Sequence, residues 1–229
     1  MHREQTKQKS SSKSYFGCPY DVYGAYQDFL LDHYPGKEWF NLQIEPLSRK
    51  HYDEWAALKL MSQESLEEYE PLWDDNELSH ESFEQRISSN TTYPKWDYAV
   101  SVKNPFGQRL FVGSICVQLP RGGTEKTFRI SYWVGEPFQG LGIGSEAIRN
   151  FVNMFVKAGQ YRRIEALVCP ENMPSQKILE KNQFVREGLL RKCLKINGIW
   201  RDHFFYAFLN ENVDNTAVTR QDVIEVHAS

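Results

Sequence analysis

The residues best suited to chemistry are Gln139-Gly140-Leu141-Gly142-Ile143-Gly144-Ser145, in which three glycines stand at alternate positions. Glycine lets a backbone turn tightly and come close to a ligand. The stretch follows a strand-like run over 127–134 and opens a helix-like run over 145–157. The start of a helix leaves free N–H groups and a partial positive charge, which together suit an anion, phosphate above all. A strand, a glycine loop and a helix N-terminus could therefore hold a phosphate group. The same residues also fit a plain glycine-rich connection, and the loop alone does not separate the two.

Composition limits what the loop can serve. A chain of 229 residues suffices for one well-buried domain with tails. Hydrophobic residues make up 41%, charged residues 25%, and the net charge is −3. That is a soluble globular profile, without the broad basic excess expected where nucleic acid is the main partner. Cys18, Cys116, Cys169 and Cys193 stand far apart with no CxxC pair. They read as free, buried thiols in a reducing compartment, not as a disulfide frame or a zinc site. No apolar run approaches the roughly 20 residues that span a bilayer, and the N-terminus lacks an apolar signal core. A cytoplasmic protein, with no membrane partner and no metal, is expected.

The elements that must position the loop can be read from the period of the apolar residues. Residues 1–14 are polar, serine-rich and basic, and are expected to form a disordered tail. Residues 15–41 form an aromatic extension; within it Val22, Tyr26, Phe29 and Leu30 fit a short amphipathic helix that packs on the domain or on a partner subunit, as in a homodimer. A strand is expected over 42–46. Ser48 can cap a helix carrying Tyr52, Trp55, Leu58 and Leu60. A second helix is expected over about 64–73 and a third over 80–87. Glu64, Glu67, Glu68, Glu70, Asp74, Asp75 and Glu77 crowd the second; they read as a solvated face, or as a rim that attracts a cationic substrate. From Trp96 the period becomes two: Trp96, Tyr98, Val100 and Val102, then Phe111, Ile115 and Val117, then Phe128, Ile130, Tyr132 and Val134. Turns at 104–107 and near 121–123 join them into an antiparallel meander. After the loop, the doublets Ala147/Ile148, Phe151/Val152 and Phe155/Val156 mark a one-faced helix. Ile164, Ala166 and Val168 form a strand, and Asn172 can cap a short helix to about Lys181, with Ile178 and Leu179 inward. A strand from Phe184 turns at Asn197-Gly198 into a last one carrying Trp200, Asp202, Phe204, Tyr206 and Phe208. Residues 210–229 are expected to be a flexible tail.

Three glycine-loop chemistries compete. A dinucleotide fold needs GxGxxG after its first strand, which the spacing here fails. A P-loop needs Gly-Lys-Ser/Thr, whereas Ser145 follows Gly144 directly. In contrast, Gln139-x-x-Gly142-x-Gly144 resembles the acyl-CoA loop of the GCN5-related N-acetyltransferases, the GNAT superfamily. The order of elements over 42–209 is similar to that fold. Asn172-Met173-Pro174-Ser175, Phe184, Glu187-Gly188 and Asn197-Gly198-x-Trp200-Arg201-Asp202-His203 resemble its ribosomal-protein alanine N-acetyltransferase branch (RimJ/RimL-like). The resemblance implies an α+β fold, with a mixed central β-sheet of about seven strands and helices on both faces.

It also implies roles. Acetyl-CoA, as co-substrate, would lay its pyrophosphate on the N–H groups of Gln139, Gly140, Leu141, Gly142, Ile143, Gly144 and Ser145. Edge backbone groups of Trp133 and Val134 would pair with the pantetheine amides, and Asn172 would hold the arm from the other side. Glu187 stands where this branch carries its general base. The tyrosine that many members place on the short helix is here Leu179, which shifts the acid for the departing thiolate to Ser175. His203 fits a structural or substrate-face place beside Arg201 and Asp202. Where the family often has Gly-Phe, this chain has Asn182-Gln183-Phe184, so the left-handed turn is expected to move to Asn182, which tolerates it better than glutamine. The acceptor implied is a protein N-terminal amine. A polyamine or antibiotic amine stays open, as does a non-catalytic acyl-CoA-binding or ribosome-associated module.

Overall fold

The computed structural model describes residues 42–88, 95–103, 109–119, 126–158 and 161–211. The expectations for residues 1–41, for the turns at 104–107 and 121–123, and for residues after 211 lie outside that set.

Seven strands form one sheet: β1 (Leu42–Pro46), β2 (Lys95–Lys103), β3 (Arg109–Gln118), β4 (Thr127–Val134), β5 (Arg163–Val168), β6 (Val185–Ile196) and β7 (Ile199–Leu209). Their order across the sheet is β1-β2-β3-β4-β5-β7-β6. Every neighbouring pair is antiparallel except β4 and β5, which run parallel. The helices are α1 (Tyr52–Met61), α2 (Gln63–Glu67), α3 (His80–Ile87), α4 (Ile143–Ala158) and α5 (Met173–Lys181). Among the described residues no helix is long and apolar enough to cross a membrane.

Alternation along β4 assigns the layers. Phe128 packs on Phe151 and Phe155 of α4, with ring centroids 6.2 and 4.7 Å apart, and Tyr161 closes this aromatic cluster edge-on at 4.8 Å. Trp133, of opposite parity, faces Phe111 at 6.0 Å and the Lys59 ammonium of α1 at 5.9 Å. The sheet is thus covered by α4 on one face and by α1 on the other. In α4 the buried positions Ile143, Ala147, Ile148, Phe151, Val152 and Phe155 make one stripe, as the doublets predict.

The strand bounds of β1 and β4 and the bounds of α3 match the sequence expectation. Two details differ. The second helix ends at Glu67 rather than near Trp73, because Pro71 disfavours helical backbone before it. The long helix starts two residues early, its first bond running from Glu146 N to Gly142 O at 3.1 Å. Beyond the last strand Asn210 is buried, and its N–H donates to Arg162 O at 2.8 Å.

Candidate active site

The site begins where the sheet opens. The parallel ladder of β4 and β5 runs from Thr127↔Arg163 to Ile130↔Ala166 and no further. The last four residues of β4, 131–134, therefore leave β5 and line a gap. A bulge in β3 sits beside this point, where the register with β2 shifts between Val100 and Ser101. Only glycine fits at position 113 there, since a Cβ would lie 2.2 Å from Trp133 O. The bulge delivers Val112 O to Gly135 N at 2.9 Å and so fixes the exit of β4.

The glycine loop follows at once. A single 3-10 turn at Glu136–Phe138 buries Phe138, and Glu136 N donates to Ser62 Oγ at 2.8 Å. Gln139 folds back, its Nε2 donating to Val134 O at 3.1 Å. Gly140 and Gly142 have φ of +74° and +83°, which L side chains rarely adopt, and a Cβ at either would meet nothing within 4 Å. Gly144 differs: it lies inside α4, and its missing Cβ would stand 3.0 Å from Ile178 Cδ1 and 3.4 Å from Val134 Cγ2. Two glycines thus shape an open turn, and the third lets α4 and α5 approach. The N–H groups of Ile143, Gly144 and Ser145 precede the first helical bond and have no intrahelical acceptor. An exposed backbone turn against a helix N-terminus fits a pyrophosphate by charge and by space.

Across the gap, Asn172 caps α5, its Oδ1 accepting from Ser175 N at 3.0 Å. Ser175 Oγ lies 2.9 Å from Tyr132 Oη, so β4 and the helix after β5 meet through two hydroxyls. Leu179 is fully buried. At the end of α5 the left-handed residue is Gln183, with φ +65°, and not Asn182. Phe184 N donates to Leu179 O and Gln183 N to Glu180 O, both at 3.0 Å, which is the Schellman pattern with Gln183 at its left-handed position. The turn does not shift because the Asn182 amide is engaged elsewhere, on Ile178 O at 2.8 Å and Ser145 O at 3.1 Å. This ties the end of α5 to the start of α4.

Glu187 sits in a bulge of β6, between the pairs Arg186↔Tyr206 and Gly188↔Phe205. Its carboxylate is held by Arg163 of β5, with Nη1 3.0 Å from Oε1 and Nη2 on the other oxygen. That guanidinium keeps the Glu187 carboxyl below its usual range. The contact groups Glu187 with Arg163, and Ser175 with Tyr132; the two pairs do not touch through any hydrogen bond among the described residues. His203 is buried, with Nδ1 3.2 Å from Arg201 O and Nε2 3.2 Å from Cys169 Sγ. Burial lowers the imidazole pKa and raises that of the thiol, so the pair is neutral: Nδ1–H donates to the carbonyl and the thiol to Nε2. This is a structural role.

The acidic stretch divides. Glu70 and Glu77 bind the buried Lys59 ammonium at 2.9 and 3.4 Å. Glu64, Glu67 and Glu68 line a groove of about 600 Å³ with Leu60, Met61, Gln63 and the hairpin tip Asn197. Both Asn197 and Gly198 have positive φ, 44° and 77°, as the two-residue Asn-Gly hairpin requires. The tip is docked by Asn197 N to Glu70 O at 2.9 Å, and Arg201 Nη1 reaches Glu68 O at 3.3 Å. Sequence reasoning singled out neither Arg163 nor Tyr132 for the site. Tyr132 carried a signal only as the hydroxyl-bearing member of an otherwise apolar strand face.

Comparison with known proteins agrees with this architecture. The family profile described as "Acetyltransferase (GNAT) domain" matches residues 41–185. The "Probable N-acetyltransferase YjcK" of Bacillus subtilis is 31% identical over 172 residues, covering 74% of this chain and 94% of that protein. The "[Ribosomal protein uS5]-alanine N-acetyltransferase" of Escherichia coli is 24% identical over 144 residues, covering 62% of this chain and 74% of that protein. Among solved structures, Mycobacterium smegmatis RimJ in complex with CoA-disulfide superposes with a TM-score of 0.66 at 26% identity, covering 80% of this chain and 88% of that one. With the sheet that opens between β4 and β5 and the glycine turn at its mouth, these matches establish that the chain belongs to the GNAT family of N-acetyltransferases, with ribosomal-protein acetyltransferases among its relatives.

Proposed function

We propose that the chain transfers the acetyl group of acetyl-CoA to a primary amine, and that the acceptor is a protein N-terminal α-amine of the ribosomal-protein type. The observation that carries the donor half is the turn with Gly140 and Gly142 at positive φ and open space at both Cβ positions, set against the α4 N-terminus. In this reading the N–H groups from Gln139 to Ser145 receive the pyrophosphate. Trp133 and Val134 offer the unpaired edge of β4 to the pantetheine amides, with Gln139 releasing Val134 O. Asn172 contributes its side-chain nitrogen, since its Oδ1 is engaged by the cap.

The chemistry follows from the amine. An ammonium has no lone pair, so a proton must leave before attack, and a base near the acceptor is useful. Glu187 takes that role in this reading: Arg163 fixes its orientation, while the same guanidinium lowers its pKa and with it its strength as a proton acceptor. Ser175 gives a proton to the sulfur as the C–S bond breaks. The acceptor half rests on the E. coli relative that acts on uS5. The groove with Glu64, Glu67 and Glu68 supports a cationic small amine as the second reading. A cytoplasmic setting belongs to the same proposal.

Calorimetric titration with acetyl-CoA, followed by thiol release with N-terminal peptides and with polyamines, tests both halves. Binding and release with peptides are expected. Release only with polyamines would replace the acceptor, and binding without release would leave a non-catalytic module. Absence of binding would overturn the role of the loop.

A further inference from the structure

We propose that Tyr132 is the positioning residue of the Ser175 hydroxyl: its phenol donates to Oγ and turns the serine's own hydrogen into the gap between β4 and β5, toward the sulfur of a thioester leaving group. The inference rests on the proposed function and adds a residue to it.

The geometry is specific. Tyr132 Oη lies 2.9 Å from Ser175 Oγ, where either hydroxyl can be the donor, and 3.3 Å from the Ser175 carbonyl, which can also accept the phenol; in this proposal the single phenol hydrogen goes to the nearer acceptor, Oγ. A serine hydroxyl has one hydrogen and two lone pairs, so a donor bound at Oγ leaves that hydrogen free to point elsewhere. The Ser175 backbone is already fixed, with its N–H on Asn172 Oδ1 at 3.0 Å. Tyr132 stands two residues past Ile130, the last β4 residue paired with β5, so it projects where the sheet has parted. Burial pushes its phenol well above the usual tyrosine range, which keeps it a neutral donor. The neighbouring phenol of Tyr206 is engaged by Glu180 Oε1 at 2.9 Å, and Leu179 has no hydroxyl to offer.

The step balances. The amine nitrogen forms a bond to the carbonyl carbon, and the C–S pair goes to sulfur. Sulfur takes the Ser175 proton while the phenol hydrogen meets the charge that develops on Oγ. Of the two protons the ammonium loses, Glu187 takes the first, freeing the lone pair, and passes it to solvent; the second, shed as the amide forms, replaces through solvent the one Ser175 gave to sulfur. A donor preorganised on developing charge stabilises the transition state and not substrate binding.

The test is a double-mutant cycle on the full chain with acetyl-CoA and the best acceptor: Tyr132→Phe, Ser175→Ala and both together. From the usual worth of a positioned acid, Ser175→Ala should lower kcat about 100-fold and Tyr132→Phe about 10-fold. Both should keep the acetyl-CoA Kd and the thermal midpoint within error, and the double variant should be no slower than Ser175→Ala. A Tyr132→Phe kcat within twofold of the parent overturns the proposal, as do losses that multiply in the double variant or a loss that falls on Kd instead. If Ser175→Ala is itself fully active, the acid assignment fails and the proposal falls with it. If Ser175→Ala is slow and Tyr132→Phe is normal, only the role of Tyr132 is lost.

Discussion

Arg163 reaches over the Phe205 ring of β7, with Cζ 5.4 Å from its centroid, and grips Glu187 on β6 with both terminal nitrogens. The same guanidinium contacts Glu165 through Nε at 2.9 Å, and Glu165 in turn meets Arg129 at 3.3 Å. A ladder of alternating charge therefore runs from β4 to β6 and ends on the proposed base.

This ladder sets a pH dependence. The Glu187 carboxyl lies below its usual range because of Arg163, so its basic form persists as pH falls and is lost only below that range. Arg163→Met removes the cause, and the acid limb of kcat/KM should move upward, toward the usual carboxylate range. Glu187→Gln should lower turnover and leave the acetyl-CoA Kd unchanged. A pH–rate profile of the two variants checks both. A limb that stays in place in Arg163→Met, with normal turnover in Glu187→Gln, removes Glu187 as base.

The loop glycines should separate by readout. Gly142→Val places a side chain in open space at φ +83°, a conformation that costs about 1–2 kcal/mol for an L residue. Its main effect should be on acetyl-CoA, whose Kd is expected to rise at least 10-fold as the new side chain occupies the pyrophosphate's approach. Gly144→Val instead presses on Ile178, and overpacking of this kind costs about 1–3 kcal/mol. Its main effect should be a lower thermal midpoint. Calorimetric titration beside thermal unfolding tells the two apart; unchanged affinity in Gly142→Val would reject the loop as the cofactor site.

How far these features were legible depends on their range. The alternation of Phe128, Ile130, Tyr132 and Val134 placed β4 at its bounds, because burial on one face writes itself into local sequence. The glycine spacing marked the turn, since positive φ needs glycine. The Glu187–Arg163 and Ser175–Tyr132 pairs were not legible as pairs. The first crosses β7 and joins residues 24 apart, and the second spans the opened sheet over 43. Nothing in a strand's alternation says which neighbour its polar tip will meet. The Asn182/Gln183 turn went the other way from intrinsic preference because a tertiary bond, Asn182 Nδ2 to Ser145 O, outweighed it.

That turn yields a stability prediction. Gln183 holds φ +65°, which strains an L side chain, and its side chain is exposed. Gln183→Gly relieves the strain and adds backbone entropy to the unfolded chain, so the net gain should be about 0.5–1 kcal/mol. Chemical denaturation measures it. A loss of stability would show that Gln183 makes a contact worth more than the strain.

The last prediction concerns Lys59, which through Glu70 ties the tip of the β6–β7 hairpin to α1. Its ammonium is buried between Glu70 and Glu77 and lies 4.6 Å from the Trp73 ring and 5.9 Å from those of Trp55 and Trp133. Glu70 also accepts from Trp73 Nε1 at 2.9 Å, and its backbone carbonyl receives Asn197 N from the hairpin tip. Lys59→Met keeps most of the apolar volume and removes the charge. Breaking a fully buried pair costs about 3–5 kcal/mol, but Glu70 and Glu77 keep roughly a quarter of their side-chain surface in water, which cuts the expected loss to about 1–3 kcal/mol. The functional consequence should fall on one substrate. The tip of the β6–β7 hairpin loses a fixed anchor, so the acceptor KM should rise several-fold, while the acetyl-CoA Kd, set by the backbone of the glycine turn, should change less. Steady-state kinetics with each substrate varied in turn decides the matter: an unchanged acceptor KM in a destabilised Lys59→Met would confine this lysine to folding.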